Sequence, residues 1–421
     1  MNRINEGIKE LKEFKLIDAL FGRRSRRVFM GAKIPDGYFK YTSPSKSMPL
    51  TELEKMVIVT SMMGNTGWHN LIMRGDRYAP DLSNYAGSAG GRTFPSAAGF
   101  QTVEFFYTDD EGVYFVETRD APALIPRKKD GLFDFDDLIE SHKNRIRKIQ
   151  DTRLDLPPKT PYIEDHNTWV VNKPGTVLFI PIGDLAQHIL LNLCYMLQNG
   201  IVLTDDINKR PIPGISRFSH LVDVENVWPI SFVEQWSMSE LTAELATSCY
   251  AGMLVLQAMG LGGWMFNGID PHALLGASDV KGLGFRYDES ENWATPNVTG
   301  LPGIFEAYTP PHVKDMKEAV ETLVERKFGD GGPFNPKTPG YYKNTGEVRA
   351  SAKMHDDDFK ACVSLQAQYV FDTFGKFPGI VPSVFVMQYL QAHHLDTGFY
   401  DKFYKKGAYL ETHSNHMARW H

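Results

Sequence analysis

Ile4, Ile8 and Leu11 recur at helical spacing among charged residues, which predicts an amphipathic helix over residues 3–20. PLTELEKMVIVTSMM predicts a second helix, because Thr51 and Glu54 match a capping box ahead of an apolar run. MGAKIPDGYFKYTSPSKS, between the two, reads as loop. Residues 76–99 are rich in Gly, Ser, Ala and Pro, yet they run straight into FQTVEFFYTDDEGVYFVET, two apolar runs around a DDEG turn. That pattern predicts a β-hairpin. A flexible linker would not feed so abruptly into a buried strand, so a shaped loop is expected before it.

Farther along, residues 135–154 read as a charged helix, with Lys143, Arg145, Arg147, Lys148 and Arg153 on a solvated face. TVLFIPIGDL predicts a buried strand turning into the apolar helix AQHILLNLCYMLQNG. Residues 203–235 are Pro-rich and irregular, and a long uncharged helix starts near Ser239. After residue 290 the texture becomes loop-rich, with helices expected near 357–375 and 381–395. No internal repeat is visible. GDGG lacks the Lys-Ser/Thr of a phosphate-binding P-loop and carries no functional weight.

A chain of 421 residues with 42% hydrophobic content can build a substantial core, as one large domain or two ordinary ones. The net charge of −6 argues against nucleic-acid binding, which needs a broad basic face. Cys194, Cys249 and Cys362 are sparse, odd in number and set in apolar surroundings. They predict no disulfide framework and a reducing, cytoplasmic location. No Cys or Cys/His spacing suggests structural zinc. The first residues are too charged for a signal peptide. Leu245–Ile269 holds no charge and is long enough to span a bilayer. Its Thr, Ser, Gln and Asn and its Gly-rich end favour a buried helix followed by a turn, and no membrane partner is expected.

Against this acidic background, FGRRSRRVF concentrates four arginines within five positions. Guanidinium forks and a serine hydroxyl suit phosphate, although charge alone favours a solvated basic turn. Three further segments carry chemistry suited to a flat anionic ligand. GNTGWHN (64–70) sets amide and imidazole donors on a turn. GGRTFPSAAGF (90–100) places Arg92 and Ser96 among small residues, where backbone amides can approach a ring. GLGGWMFNGID (260–270) closes the long apolar helix.

In this order the segments resemble the nitroreductase-type FMN oxidoreductases. That family's R-R-S-x-R-x-F segment, which grips the flavin phosphate and ribityl chain, matches Arg23, Arg24, Ser25, Arg27 and Phe29. Pro49-Leu50 matches the opening of the next helix. The R…PSAG segment and hairpin of the azoline-oxidising branch match Arg92, Pro95, Ser96 and Gly99, and a Gly-Leu-Gly turn matches Gly260, Leu261 and Gly262. The likeness covers roughly residues 15–285. The family's A-P-S-x-x-N-x-Q-P-W segment is only echoed by Asn65 and Trp68, the stretch after 290 is longer than the usual tail, and the late basic residue of the phosphate site has no match.

The resemblance implies an α+β fold, nitroreductase-like, with a central, mostly antiparallel sheet flanked by helices, in an intertwined homodimer. Residues 1–20 would be a dimer arm, and 21–290 the FMN-binding core with an insertion near 120–235. Residues 291–421 would be a C-terminal extension shaping pocket or dimer. FMN is the implied cofactor, held by Arg23, Arg24, Ser25, Arg27, Asn65, Arg92, Pro95, Ser96, Ala97, Gly99, Leu261, Gly262 and Gly263. Hydride would pass between flavin N5 and a small organic or peptide-derived substrate, with NAD(P)H or oxygen as redox partner. No side chain is assigned as catalytic, and His69 reads as a structural hydrogen-bonder more than a proton source. Two other readings stand beside this one. In one, His393, His394, His413 and His416, with Asp396 and Glu411 nearby, would serve a metal-dependent enzyme, the HSNH pair being three apart on a helix. No metal ligand is assigned from this pattern. In the other, the chain would be a flavin-binding partner subunit without turnover.

Overall fold

The computed structural model describes residues 6–65, 91–119, 134–277, 279–291, 293, 295–340, 342–381 and 388–421. Two short helices open it, α1 (Glu6–Glu13) and α2 (Leu16–Gly22). The single helix expected over 3–20 is therefore broken at Phe14 and Lys15, and Lys15 adopts an extended conformation. Leu16, Ile17, Leu20 and Phe21 of α2 are exposed. A two-stranded ribbon, β1 (Lys33–Ile34) and β2 (Tyr41–Thr42), precedes α3 (Glu52–Met63). The Thr51/Glu54 capping box is present as the sequence predicts.

The hairpin also forms, from β3 (Val103–Asp109) and β4 (Gly112–Val116). Residues 135–154 differ from expectation: α4 (Phe135–Lys143) ends and the chain turns into β5 (Ile146–Gln150) at the sheet margin. Charged side chains on an exposed edge strand are a normal guard against edge pairing, and they mimicked a solvated helix in the sequence. β6 (Val177–Asp184) and α5 (Leu185–Gln198) follow as predicted. A small sheet of β7 (Val202–Asp205), β8 (Arg210–Pro211) and β9 (Val227–Pro229) occupies the irregular stretch.

Helix α6 (Ile230–Met259) starts nine residues before the expected position and ends at Gly260, whose φ of 78° suits glycine. It packs on α3, α5 and β6. Among the described residues no helix is long and apolar enough to cross a membrane. The turn after α6 leads at once into β10 (Gly262–Phe266). Then come α7 (Pro271–Leu275), β11 (Arg286–Asp288), β12 (Asn297–Leu301), β13 (Phe305–Glu306), α8 (Met316–Phe328), α9 (Thr345–Ala350) and α10 (Asp357–Phe374), the last as expected. The helix expected over 381–395 is not formed by its described residues: β14 (Ile380–Val381) and β15 (Tyr389–His393) are strands. Every residue of β15 is buried, the polar Gln391 and His393 included, so no alternation of buried and exposed positions distinguishes strand from helix. α11 (Thr397–Phe403) and α12 (Glu411–Trp420) complete the chain.

The result is the mixed α+β architecture anticipated from the sequence. Among the described residues, ten strands form the main sheet in the order β11-β12-β14-β6-β3-β4-β5, with β15 joining β6 to β10 and β13 beside β12. Its pairings are all antiparallel. The described part of residues 291–421 thus supplies four of these strands, and the main core cluster runs from Ile8 to Trp420, with a small second one around Phe334. The three cysteines are free and buried.

Candidate functional site

The arginine segment leaves α2 and is threaded between two strands' ends. Arg26 pairs with Gly263 through both backbone groups (N–H to O at 3.2 Å and 2.8 Å), and Phe29 bridges to Leu395. This pairing fixes where each arginine points. Arg26 turns inward and is buried, donating to Ala408 O at 3.1 Å, Gln257 Oε1 at 2.6 Å and Gly22 O at 3.1 Å. Burial lowers its pKa to about 10. It is a structural tie that the composition of the run did not distinguish from its neighbours.

Arg24 and Arg27 point the other way. Arg24 is exposed and donates only to the nearby carbonyls of Phe21 and Arg23. Arg27 donates to His166 O and Asn167 Oδ1, and its guanidinium lies 4.9 Å from the Trp264 ring centroid and 5.7 Å from that of Trp169. Its Nε is buried with no hydrogen-bond partner among the described residues. Burial depresses the Arg27 pKa, because desolvation penalises its charged form. Arg24, Ser25, Arg26 and Arg27 line a cleft of about 560 Å³, whose other walls include Phe39, Trp169, Phe399, Tyr400 and Tyr404. That is the size range of small-molecule sites. Arg23 is half-buried at the C-cap of α2 and is not among the cleft's lining residues. The aromatic walls come from positions that no sequence motif connected to the arginines.

The glycines after α6 sit behind this segment. Leu261, Gly262 and Gly263 are buried. A Cβ on Gly262 would lie 2.6 Å from His393 Nε2, and one on Gly263, at φ 156°, would lie 2.2 Å from Gln391 O. Close approach of β10 to β15 requires glycine here. Thus two of the motifs, the arginine run and the Gly-Leu-Gly turn, are in direct contact.

The third group lies elsewhere on α6. Ser96 donates to Glu244 Oε1, which also accepts from Gln101 N at 2.8 Å, while Glu244 Oε2 accepts from Thr102 N at 3.0 Å. Burial raises the Glu244 pKa, against the lowering influence of His188 and these bonds. Pro95 O accepts from Thr247. Arg92 donates to Thr118 O beside Glu104, whose carboxyl is pushed up to about 7 by burial despite the charges of Arg119 and Arg92. Asn65 bridges to Arg92 and donates its backbone N–H to His142 Nε2 at 2.9 Å. Pro95, Ala97 and Gly99 are exposed, and Gly99 has φ 72°. Glu244 and Gln257 are thirteen residues apart on one helix, or about 20 Å along its axis. Within one chain, the Arg92–Gly99 segment and the arginine cleft therefore stand at two levels. Trp68 and His69 lie outside the described residues.

The C-terminal histidines divide differently from the HSNH expectation. His413 Nδ1 accepts from Leu410 N, and His393 Nε2 lies 3.1 Å from Arg26 O. His394 and His416 instead converge on Glu54, joined by His421. Glu54 appeared in the sequence only as a capping residue, and nothing near it linked it to histidines more than 300 positions away.

No family model and no curated protein matches the sequence. Among solved structures, a protein of Ralstonia eutropha JMP134 assigned as a nitroreductase matches with 11% identity over 61% of this chain and 71% of its own, at a TM-score of 0.28. CLA-ER, an enone reductase of gut-bacterial fatty acid biohydrogenation, matches with 14% identity over 61% and 76%, at a TM-score of 0.25. Scores of that size establish no common fold, and the functional reading below rests on the chain's own residues.

Proposed function

We propose that this chain is an FMN-dependent oxidoreductase of nitroreductase type, and that the cleft beside Arg24, Ser25 and Arg27 takes the flavin's phosphate end. The supporting observation is the cleft itself: two guanidinium groups and a hydroxyl open onto an aromatic-walled space, and Arg27 Nε is buried without a partner among the described residues. The residues present fit an anionic, partly aromatic ligand. Arg24 would bind the phosphate by charge-assisted hydrogen bonds and Ser25 would add a hydroxyl donor. Arg27, braced by Asn167 and stacked between two tryptophans, would hold a fixed orientation at low entropic cost.

Hydride chemistry would come from FMN when bound, and the protein would supply its binding and orientation. The exposed backbone of Pro95, Ala97 and Gly99 can face a planar ring. Because that segment stands about 20 Å along α6 from the arginines, the reading places the partner subunit's Arg92–Gly99 segment at the ring in a homodimer. The exposed apolar face of α2, with Leu16 66%, Ile17 55% and Phe21 74% exposed, supplies surface for such an assembly. The test is the visible spectrum and released chromophore of the purified full-length protein, with its mass in solution. A yellow dimer releasing one FMN per chain supports the reading; a colourless protein that binds no added FMN overturns it.

A further inference from the structure

Glu54 Oε1 lies 3.2 Å from His394 Nε2, 2.7 Å from His416 Nε2 and 3.3 Å from His421 Nε2. His421 Nε2 is also 3.3 Å from His394 Nε2, and the four atoms all fall within 4.8 Å of one another. Glu54, His394 and His416 are buried, and His421 is at the surface. The other oxygen, Oε2, is already committed: it accepts from Thr51 N at 2.6 Å and Thr51 Oγ1 at 2.8 Å. The capping box thus aims Oε1 at the histidines.

The far side of each buried ring settles which nitrogen carries the proton. His394 Nδ1 is 3.0 Å from Met48 O, and His416 Nδ1 is 2.7 Å from Met259 O. A carbonyl only accepts, so each Nδ1 must donate. In the neutral rings both Nε2 lone pairs then face the carboxylate oxygen, which concentrates acceptors in a dry space. A proton on Nε2 does not resolve this at His416: despite the 2.7 Å separation its Nε2 has no hydrogen bond of acceptable angle. A cation between the four atoms does. In a tetrahedral site with bonds of about 2.0–2.1 Å, ligand atoms stand about 3.3 Å apart. Three of the four separations given above are within 0.1 Å of that edge. The carbonyls behind the rings are the outer partners that ligating histidines normally have.

We infer that Glu54, His394, His416 and His421 form a structural site for a divalent transition metal of zinc class. Three imidazoles and one carboxylate suit such an ion, and four protein ligands leave no open position for substrate. The site joins the N-terminus of α3, the residue following β15, and α12 with its C-terminal neighbour. It stands behind the arginine segment, because His394 O accepts from Met30 N and His416 rests on the C-terminal turn of α6, where Gln257 holds Arg26. The metal would hold α12 against that framework. The inference does not depend on the flavin reading.

The test uses the full-length protein, treated with a chelator, dialysed and titrated with Zn²⁺ against a chromophoric competitor. The expected result is one Zn²⁺ per chain at about micromolar affinity or tighter, with a rise in melting temperature. His421→Ala, whose side chain lies at the surface, should keep its circular dichroism and bind Zn²⁺ at least about tenfold more weakly. Glu54→Gln and His416→Ala should lose the melting-temperature response to Zn²⁺. Absence of stoichiometric binding, or equal affinity in wild type and His421→Ala, overturns the inference. FMN content measured on the same sample separates the outcomes: metal without flavin removes only the functional reading, and flavin without metal removes only this one.

Discussion

Neighbouring arginines of one short run should fail in opposite ways when truncated. Arg24 is exposed and bonded only to carbonyls beside it, so Arg24→Ala should leave the apo-protein's melting temperature unchanged. It would remove one charge-assisted contact to phosphate, about 1.5–3 kcal/mol, and so weaken FMN binding by about 10- to 150-fold. Arg26→Ala does the reverse. It orphans the buried Gln257 Oε1 and the part-buried carbonyls of Ala408 and Gly22. Three such bonds place the loss at about 5 kcal/mol. With about 2.1 cal/mol/K of unfolding entropy per residue, 421 residues give about 0.9 kcal/mol/K, so the melting temperature should fall by about 5–6 °C. Flavin-fluorescence titration measures the first effect, and scanning fluorimetry without ligand the second. Equal thermal losses in the two variants, or FMN affinity within about threefold of wild type in Arg24→Ala, would refute the division of roles.

Gly263→Ala should be poorly folded, because its Cβ would meet Gln391 O at 2.2 Å and Leu256 Cδ1 at 2.5 Å; soluble protein with wild-type melting would contradict the packing. Glu244→Leu strands the N–H groups of Gln101 and Thr102 and should cost at least about 2 kcal/mol in urea denaturation, whereas Ser96→Ala should alter flavin reduction more than stability. Burial lowers the pKa of His142 to about 4, and of His393 and His413 to about 3. Unfolded histidines take up protons near pH 6.5 while these folded ones do not, so their contribution is complete above pH 6.5 and declines as pH falls through that value toward 3–4. Their ring carbon-bound proton resonances should stay fixed between pH 8 and 5.5, and a midpoint near 6.5 would contradict their burial as neutral groups. Glu104 has the opposite sign: its raised pKa stabilises the fold below about pH 4.5, and that contribution is lost as pH rises through about 7.

What the sequence disclosed was local. Thr51 and Glu54 are three apart and cap one helix, and the DDEG turn joins adjacent strands, so short-range pattern sufficed for both. β15 was hidden because full burial removes the alternation that marks a strand, and β5 because its charges imitate a solvated helix. The arginine run was visible as composition, but which member turns inward depends on Gly263 and Gln257, more than 230 positions away. The Glu54 cluster shows the same limit more strongly: the HSNH spacing paired His413 with His416, whereas the fold selects His394, His416 and His421 around a capping carboxylate.

Stoichiometry of FMN on the freshly purified full-length chain, read from its visible spectrum before and after denaturation, bears most directly on the account. One FMN per chain, with the occupancy lost in Arg24→Ala and regained at higher FMN concentration, is the predicted result. A chain that stays colourless and gives no saturable titration with added FMN would contradict it.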